Sequence, residues 1–182
     1  MIASLINFLT ILRIFLGLVI SLLIILGDGY ILALILFFLA GISDFFDGYF
    51  ARKYNATSEI GEILDPIADK ILVAFILITL SVNLSSFLLA FLSALIISRE
   101  IWVSALRDFS ARRNISNATK VTYLAKIKTS IQLFTIFLYL LGLAIDVMIL
   151  IIFADIFLIF SALITVFTGY DYTMSTFKKK IE

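Results

Sequence analysis

Residues 71–98 decide the fold of this chain, and they read ILVAFILITLSVNLSSFLLAFLSALIIS. No charged side chain occurs between Lys70 and Arg99, so the whole stretch is apolar enough to enter a lipid bilayer. It is longer than one crossing needs, because a transmembrane helix takes about 20 residues. The polar segment 82–86, VNLSS, is typical of a turn and divides the stretch in two. The pattern predicts a helical hairpin inside a membrane.

The composition of the whole chain agrees with a membrane protein. Hydrophobic residues make up 63% of the 182 residues and charged residues 15%, compared with roughly 45–50% and about 25% in soluble domains. The mean hydropathy is +1.17. A soluble fold of this size could not bury so much apolar surface, and a chain with so few charges and one proline does not stay disordered. These numbers exclude an ordinary soluble enzyme.

The residue types that are missing also restrict the chemistry. The chain has no cysteine and no histidine. It therefore has no disulfide framework, no thiolate or imidazole metal ligand and no imidazole base. Any reaction must use carboxylates, amines, guanidinium groups and hydroxyls.

The apolar stretches predict an all-α integral membrane domain of six transmembrane helices, organised as one unit over residues 1–182. The predicted spans are 5–27, 30–52, 63–82, 86–107, 122–143 and 148–171. The first span is expected to be retained rather than cleaved as a signal peptide, since it is too long. Gly27-Asp28-Gly29 predicts another turn, and Gly142 with Asp146 predicts a third. Asp155, within the sixth span, is expected to form a buried hydrogen bond.

Lysine and arginine mark one side of the predicted bundle. They accompany the termini and the loops near 53–62 and 108–121, at Arg52, Lys53, Arg107, Arg112, Arg113, Lys120, Lys178, Lys179 and Lys180. The opposite loops, near 28, 83 and 145, contain neither residue type. Because basic segments stay in the cytoplasm, both termini are predicted to face the cytoplasm. The predicted location is the inner (cytoplasmic) cell membrane, with multiple passes.

Four aspartates lie in the second and third predicted spans, where ionisable groups are costly and mark candidate functional sites. At about 100° per residue, one face of the second helix combines two carboxylates, two small residues and a guanidinium: Asp44, Asp47, Gly48, Ala51 and Arg52. One face of the third helix adds Gly61, Asp65 and Asp69. An antiparallel hairpin can bring these two faces together. The spacing predicts that four carboxylates meet near the cytoplasmic boundary.

Carboxylates gathered in a low-dielectric site repel one another and need cations. All-oxygen ligands favour two Mg²⁺ or Mn²⁺ ions, and paired ions of this kind suit phosphoryl transfer. Gly48 and Ala51 leave room for a bulky ligand, and Arg52 is placed to bind a diphosphate. The alternative is that the acids form structural salt bridges with Lys70, Arg99 or Arg52.

The aspartate pattern resembles the motif of the CDP-alcohol phosphotransferase family at every fixed position: Asp44-x2-Asp47-Gly48-x2-Ala51-Arg52-x8-Gly61-x3-Asp65-x3-Asp69. Asn7-x2-Thr10-x2-Arg13 is similar to the family's N-terminal element on the nucleotide side. Further stretches look like the phosphatidylglycerophosphate synthase branch: 64–70, 98–100, 104–107 and 126–129. The resemblance implies a six-helix membrane enzyme, usually a homodimer, that moves a phosphatidyl group from a CDP-linked donor to an alcohol in a cavity open to the cytoplasm.

The resemblance also implies roles for individual residues. Asp44 and Asp65 would bridge two metal ions, Asp47 would complete the first site and Asp69 the second. Asp69 would in addition be the catalytic general base. The residues expected to bind the donor, CDP-diacylglycerol, are Asn7, Thr10, Arg13, Gly48, Ala51, Arg52 and Ser58.

The expected acceptor is glycerol 3-phosphate, a small dianion that needs fixed cations. Four basic residues near the cytoplasmic ends of the fourth and fifth spans are candidates for this pocket: Arg99, Arg107, Lys126 and Lys128. The alternative role for such residues is anchoring to membrane lipid phosphates, and Arg99 could also pair with Glu100 or a motif acid. No nucleic-acid partner is expected.

Two other functions compete with this interpretation. The same chemistry could use phosphatidylglycerol, serine or an inositol phosphate as acceptor. A divalent-cation transporter would use the acids as an ion path. A transporter should, however, carry its charged site near the midplane and show repeated halves with broken helices, whereas these acids lie toward one end and no repeat is visible.

Overall fold

The computed structural model of this chain describes residues 2–54, 59–113 and 123–178. Six α-helices and no strand occur in these ranges: α1 (Ile2–Leu26), α2 (Tyr30–Tyr54), α3 (Glu59–Asn83), α4 (Phe87–Arg112), α5 (Tyr123–Ala144) and α6 (Met148–Lys178). The predicted all-α class and the number and order of the helices are confirmed. The largest differences from the predicted spans are the later ends of α6 and α4. Hydropathy marks only the apolar part of a helix, whereas backbone hydrogen bonding continues into its polar ends.

Four of these helices are long and apolar enough to cross a membrane, over Ile6–Leu26, Phe87–Arg112, Ile127–Ala144 and Met148–Phe177. A shorter apolar segment, Tyr30–Phe46, belongs to α2. Large apolar side chains such as Phe8, Phe87 and Phe160 are exposed on the outside of the bundle. A surface of this kind is suited to lipid rather than water, so the chain is a multi-pass membrane protein.

The helices pack as a bundle in which α1 lies against α2 and α3, and α6 lies against α4 and α5. Contacts of α3 with α4 and of α2 with α5 join the two groups. The main hydrophobic core lies toward the end with the three short turns, and Ile24, Leu80, Leu89 and Leu140 are among its fully buried members. The aspartates and most basic side chains lie toward the other end.

Three tight turns occur at the predicted places, between α1 and α2, α3 and α4, and α5 and α6. The backbone reverses through positive φ angles at Gly27, Ser85 and Asp146. The side chain of Asn83 donates a hydrogen bond of 2.9 Å to the carbonyl oxygen of Ile24, which ties the first two turns together. These short turns make each helix pair antiparallel and bring the charged ends of the helices to one side.

Asp155 forms the hydrogen bond expected from the sequence. Its Oδ1 atom accepts a bond of 2.5 Å from the hydroxyl of Tyr139, which is fully buried in α5. The contact joins α5 to α6 within the bundle, so Asp155 serves the packing of these two helices.

Candidate active site

Carboxylates of α2 and α3 meet at a buried arginine of α1. The Nη1 atom of Arg13 lies 2.9 Å from Oδ1 of Asp44 and 2.6 Å from Oδ1 of Asp69. The arginine side chain is only 1% exposed, whereas the Asp44 and Asp69 side chains are 54% and 52% exposed. The guanidinium group therefore lies beneath the two carboxylates, which are open on their other side. Among the described residues α2 and α3 do not pack against each other as the predicted hairpin would; instead α1 packs against both helices, and Arg13 brings Asp44 and Asp69 together.

Thr10, one turn before Arg13 on α1, contacts Asp65, the third motif aspartate whose side chain the structure describes. Its fully buried hydroxyl donates a hydrogen bond of 2.7 Å to Oδ1 of Asp65. It also lies 3.1 Å from the backbone oxygen of Ile6. The predicted N-terminal element is thus in direct contact with the aspartates through two of its three residues. Its assignment to donor binding stays a prediction.

Part of the predicted site lies outside what the structure describes. Ser58 falls in an undescribed segment. For four other predicted residues the helical backbone is described but the side chain is not: Asp47, Ala51, Arg52 and Lys126. Gly48 is half-buried on α2, and Asn7 is half-buried one turn before Thr10. Their expected ligand contacts are untested.

The described aspartates have the oxygen donors that a hard divalent cation needs, but they do not form a complete metal site. Among them, no group of three or more acidic residues is arranged so that it could hold an ion. Asp44 and Asp69 nevertheless present half-exposed oxygens on either side of one positive charge. Oxygen donors of this kind are the ligands that Mg²⁺ and Mn²⁺ prefer. The donor set therefore fits such ions, and the two-ion site stays a prediction.

A second polar cluster joins α4, α5 and α6 at the same end of the bundle. Lys128 is buried and forms an ion pair with Oε1 of Glu100. The Nη1 atom of Arg99 lies 3.3 Å from the same oxygen, and its Nη2 donates a hydrogen bond of 2.7 Å to the hydroxyl of Thr168. One carboxylate thus pairs with two cations, the buried Lys128 and the partly buried Arg99. Of the two pairings expected for Arg99, the structure shows the one with Glu100.

Arg107 approaches this cluster through the ring of Tyr172. The guanidinium carbons of Arg99 and Arg107 lie 5.7 Å and 5.4 Å from the ring centroid of this buried tyrosine. The Nε atoms of both arginines are buried and have no hydrogen-bond partner among the described residues. We call the five residues Arg99, Glu100, Arg107, Lys128 and Tyr172 the cation cluster. It contains three cations and one carboxylate.

Lys70 connects the aspartates with the cation cluster. It follows Asp69 directly on α3 and hydrogen bonds through Nζ to the hydroxyl of Ser104 on α4. It also lies close enough to Glu100 and Arg107 to interact with them electrostatically. The two groups of charges are therefore neighbours, which gives one region with anionic and cationic halves.

Sequence reasoning found most of this region but missed several members. It did not select Lys70, Thr168 or Tyr172 as site residues, and it treated Glu100 only as a partner of Arg99. Glu100 could have been found, because an acid among buried bases needs a partner. Thr168 and Tyr172 lie near the C-terminal end of α6, where hydroxyl-bearing residues are frequent, so their residue types give no such signal. The salt-bridge alternative proposed Lys70, Arg99 or Arg52 as partners of the acids, whereas the partner shown for Asp44 and Asp69 is Arg13.

Comparison with known sequences finds relatives that match most of this chain. A protein of Rickettsia typhi named CDP-diacylglycerol–glycerol-3-phosphate 3-phosphatidyltransferase is 41% identical over 169 residues, which cover 91% of this chain and 93% of that protein. The protein of the same name from Rickettsia prowazekii is also 41% identical and covers 91% of each chain. The one from Escherichia coli K12 is 36% identical over 56% of each chain. The sequence model of the CDP-alcohol phosphatidyltransferases matches residues 3–170. The chain belongs to the CDP-alcohol phosphatidyltransferase family.

Proposed function

We propose that this chain transfers the phosphatidyl group of CDP-diacylglycerol to the sn-1 hydroxyl of glycerol 3-phosphate. The products are CMP and phosphatidylglycerol phosphate, and the reaction belongs to phospholipid biosynthesis. The observation that carries the proposal is the cation cluster beside the aspartates, because a phosphorylated acceptor needs fixed positive charge next to the reacting centre. The shared name of the relatives supports the same acceptor.

The aspartate half of the site is suited to the diphosphate of the donor. Asp44, Asp47, Asp65 and Asp69 would hold two Mg²⁺ or Mn²⁺ ions, which when bound supply positive charge to the diphosphate and to the leaving group. Arg13 fixes Asp44 and Asp69 from below, and Thr10 fixes Asp65. Rigid support of this kind matters because catalytic groups act only in a narrow range of positions.

Asp69 is the proposed general base. Its carboxylate is half exposed, so it can reach a substrate while Arg13 holds it in place. It accepts the proton of the sn-1 hydroxyl as that oxygen forms a bond to the β-phosphorus of CDP-diacylglycerol. The bond between this phosphorus and the oxygen bridging the two phosphates breaks, and CMP leaves with the electron pair.

The cation cluster is the proposed pocket for the phosphate of the acceptor. Lys128 and Arg99 share the single carboxylate of Glu100. Within the cation cluster, no described ion pair joins Arg107 to a carboxylate. The surplus of positive charge favours an anion, and low dielectric strengthens the attraction. Serine, which has no phosphate, would not need this surplus.

Three further features belong to the proposal. The distribution of lysine and arginine supports an orientation with both termini and the site on the cytoplasmic side of the inner membrane. The donor enters from the bilayer. Its acyl chains lie among the membrane lipids that contact the apolar surface of the helix bundle. The active form is a homodimer, as the family resemblance implies.

The test is CMP release by the purified protein with CDP-diacylglycerol and a panel of acceptors. We expect turnover with glycerol 3-phosphate and little with serine, phosphatidylglycerol or inositol phosphate. A preference for one of those three would overturn the acceptor assignment but retain the transferase chemistry. No CMP release with any alcohol would overturn both.

Variants of the cation cluster test the proposed acceptor pocket in the same assay. Arg107→Ala and Lys128→Ala should raise the KM for glycerol 3-phosphate roughly ten- to a hundred-fold, as expected for one lost charge-assisted hydrogen bond. The KM for CDP-diacylglycerol should change little. The matched control is Arg113→Ala, since Arg113 is exposed and its guanidinium group lies over the ring of Phe109, away from the cation cluster. An equal effect in all three variants would indicate general surface charge instead of a pocket.

A further inference from the structure

Helix α6 contacts both arginines of the cation cluster. Thr168 accepts the hydrogen bond from Nη2 of Arg99, and Tyr172, one turn later, lies under the guanidinium groups of Arg99 and Arg107. Tyr172 is 2% exposed, so its ring is enclosed by protein. Both contacts come from a helix that lies outside the aspartate motif.

Gly169 lies between these two residues and allows the close approach of Arg99. A Cβ atom at this position would lie 2.9 Å from Cγ and 3.3 Å from Nε of Arg99. The first distance is shorter than side chains tolerate, so an alanine would displace the arginine. The stem of Arg99 therefore lies directly on the backbone of α6, with its guanidinium group held between a hydroxyl and a ring.

The ring matters because two cations lie close together in a region of low dielectric. Like charges there repel strongly, and each would turn away if nothing held it. The face of an aromatic ring attracts a guanidinium group, most strongly when water is excluded. One buried ring in contact with both arginines fixes the distance and angle between them.

We propose that Thr168, Gly169 and Tyr172 are positioning residues that hold Arg99 and Arg107 at the spacing required to bind the acceptor's phosphate. The inference rests on the proposed function for the identity of the acceptor. It predicts that changes on α6 weaken acceptor binding while the binding of the donor is retained. If these residues only packed α6 against its neighbours, their replacement would not weaken acceptor binding selectively.

The first experiment compares four variants in the CMP-release assay. Tyr172→Leu removes the ring and should raise the KM for glycerol 3-phosphate about tenfold, with the KM for CDP-diacylglycerol unchanged. Tyr172→Phe retains the ring and should stay within about twofold of the unmodified protein. Gly169→Ala should resemble Tyr172→Leu. Gly41→Ala is the matched control, because a Cβ atom there would meet nothing within 4 Å.

The single tryptophan of the chain checks that each variant keeps the contact between α4 and α6. Trp102 donates a hydrogen bond of 2.9 Å to the hydroxyl of Thr173, next to Tyr172. An unchanged emission spectrum shows that the contact is intact. If Tyr172→Leu and Tyr172→Phe raised the acceptor KM equally, or if the donor KM rose in parallel, the positioning role would be refuted.

A binding measurement separates this inference from the proposed function. Calorimetric titration of the protein with inorganic phosphate and with glycerol 3-phosphate needs no turnover. Weaker binding of both anions in Tyr172→Leu supports the positioning role, even if the unmodified protein releases no CMP with glycerol 3-phosphate and the proposed function fails. Equal affinity in the variant and the unmodified protein, or no anion binding in either, overturns the inference.

Discussion

Replacing Arg13 by glutamine tests the support beneath the aspartates. The variant removes the positive charge that lies 2.9 Å from Asp44 and 2.6 Å from Asp69, and it leaves a shorter, neutral polar side chain. A hydrogen bond to a charged group contributes about 1.5–3 kcal/mol. Two such bonds set an upper limit, and because both carboxylates are half exposed, water replaces part of the loss. We expect a destabilisation of about 2 kcal/mol.

Thermal unfolding of the protein in detergent measures this loss. For a chain of this size, 2 kcal/mol corresponds to a decrease in Tm of roughly 4–8 °C. The matched control is Arg112→Gln, which breaks the ion pair of 2.9 Å with Asp108 between two exposed side chains. Exposed pairs contribute about 0–1 kcal/mol, so the control should change Tm by only a few degrees at most.

The same unfolding experiment, repeated with Mg²⁺, tests the proposed metal site. If the aspartates bind divalent cations, Mg²⁺ can supply the positive charge that Arg13→Gln has lost. Millimolar Mg²⁺ should then raise the Tm of this variant more than that of the unmodified protein or of Arg112→Gln. Equal Tm values for the two variants without metal would refute the supporting role of Arg13. A loss of Tm that Mg²⁺ leaves unchanged would count against a metal site at these carboxylates.

Three further predictions concern the reaction and the packing. Asp69→Asn should lower kcat by about 10²–10⁴-fold, as expected for a lost general base, with a smaller effect on donor KM; near-normal kcat in steady-state assays would exclude this role. Chelation with EDTA should abolish CMP release, and Mg²⁺ or Mn²⁺ should restore it, whereas full activity in the chelator would contradict metal dependence. Tyr139→Phe removes the hydrogen bond to Asp155 and should lower the free energy of unfolding by about 1–3 kcal/mol. Because this bond lies outside the charged region, kcat per folded molecule should not change, and a lower kcat would contradict that separation.

The sequence determined the features that depend on neighbouring residues. Hydropathy predicted the six helices, and the polar segments near 28, 83 and 145 predicted their turns. Helical periodicity predicted that Asp44 on one helix and Asp65 and Asp69 on the next would face each other. These features follow from a fixed rise and rotation per residue and from the cost of placing charges in lipid. They needed no knowledge of how the helices pack.

Only the tertiary structure decided which groups lie against those faces. Arg13 and Asp69 are 56 residues apart, and the motif around the aspartates does not indicate that a guanidinium group of α1 lies beneath them. Tyr172 is one of two tyrosines near the C-terminal end of α6, and its residue type does not distinguish it from the exposed Tyr170. Its role arises because α6 packs against α4, which places its ring below Arg99 and Arg107. Contacts of this kind depend on the rotation and depth of one helix against another, and packing at both ends of the bundle sets these together.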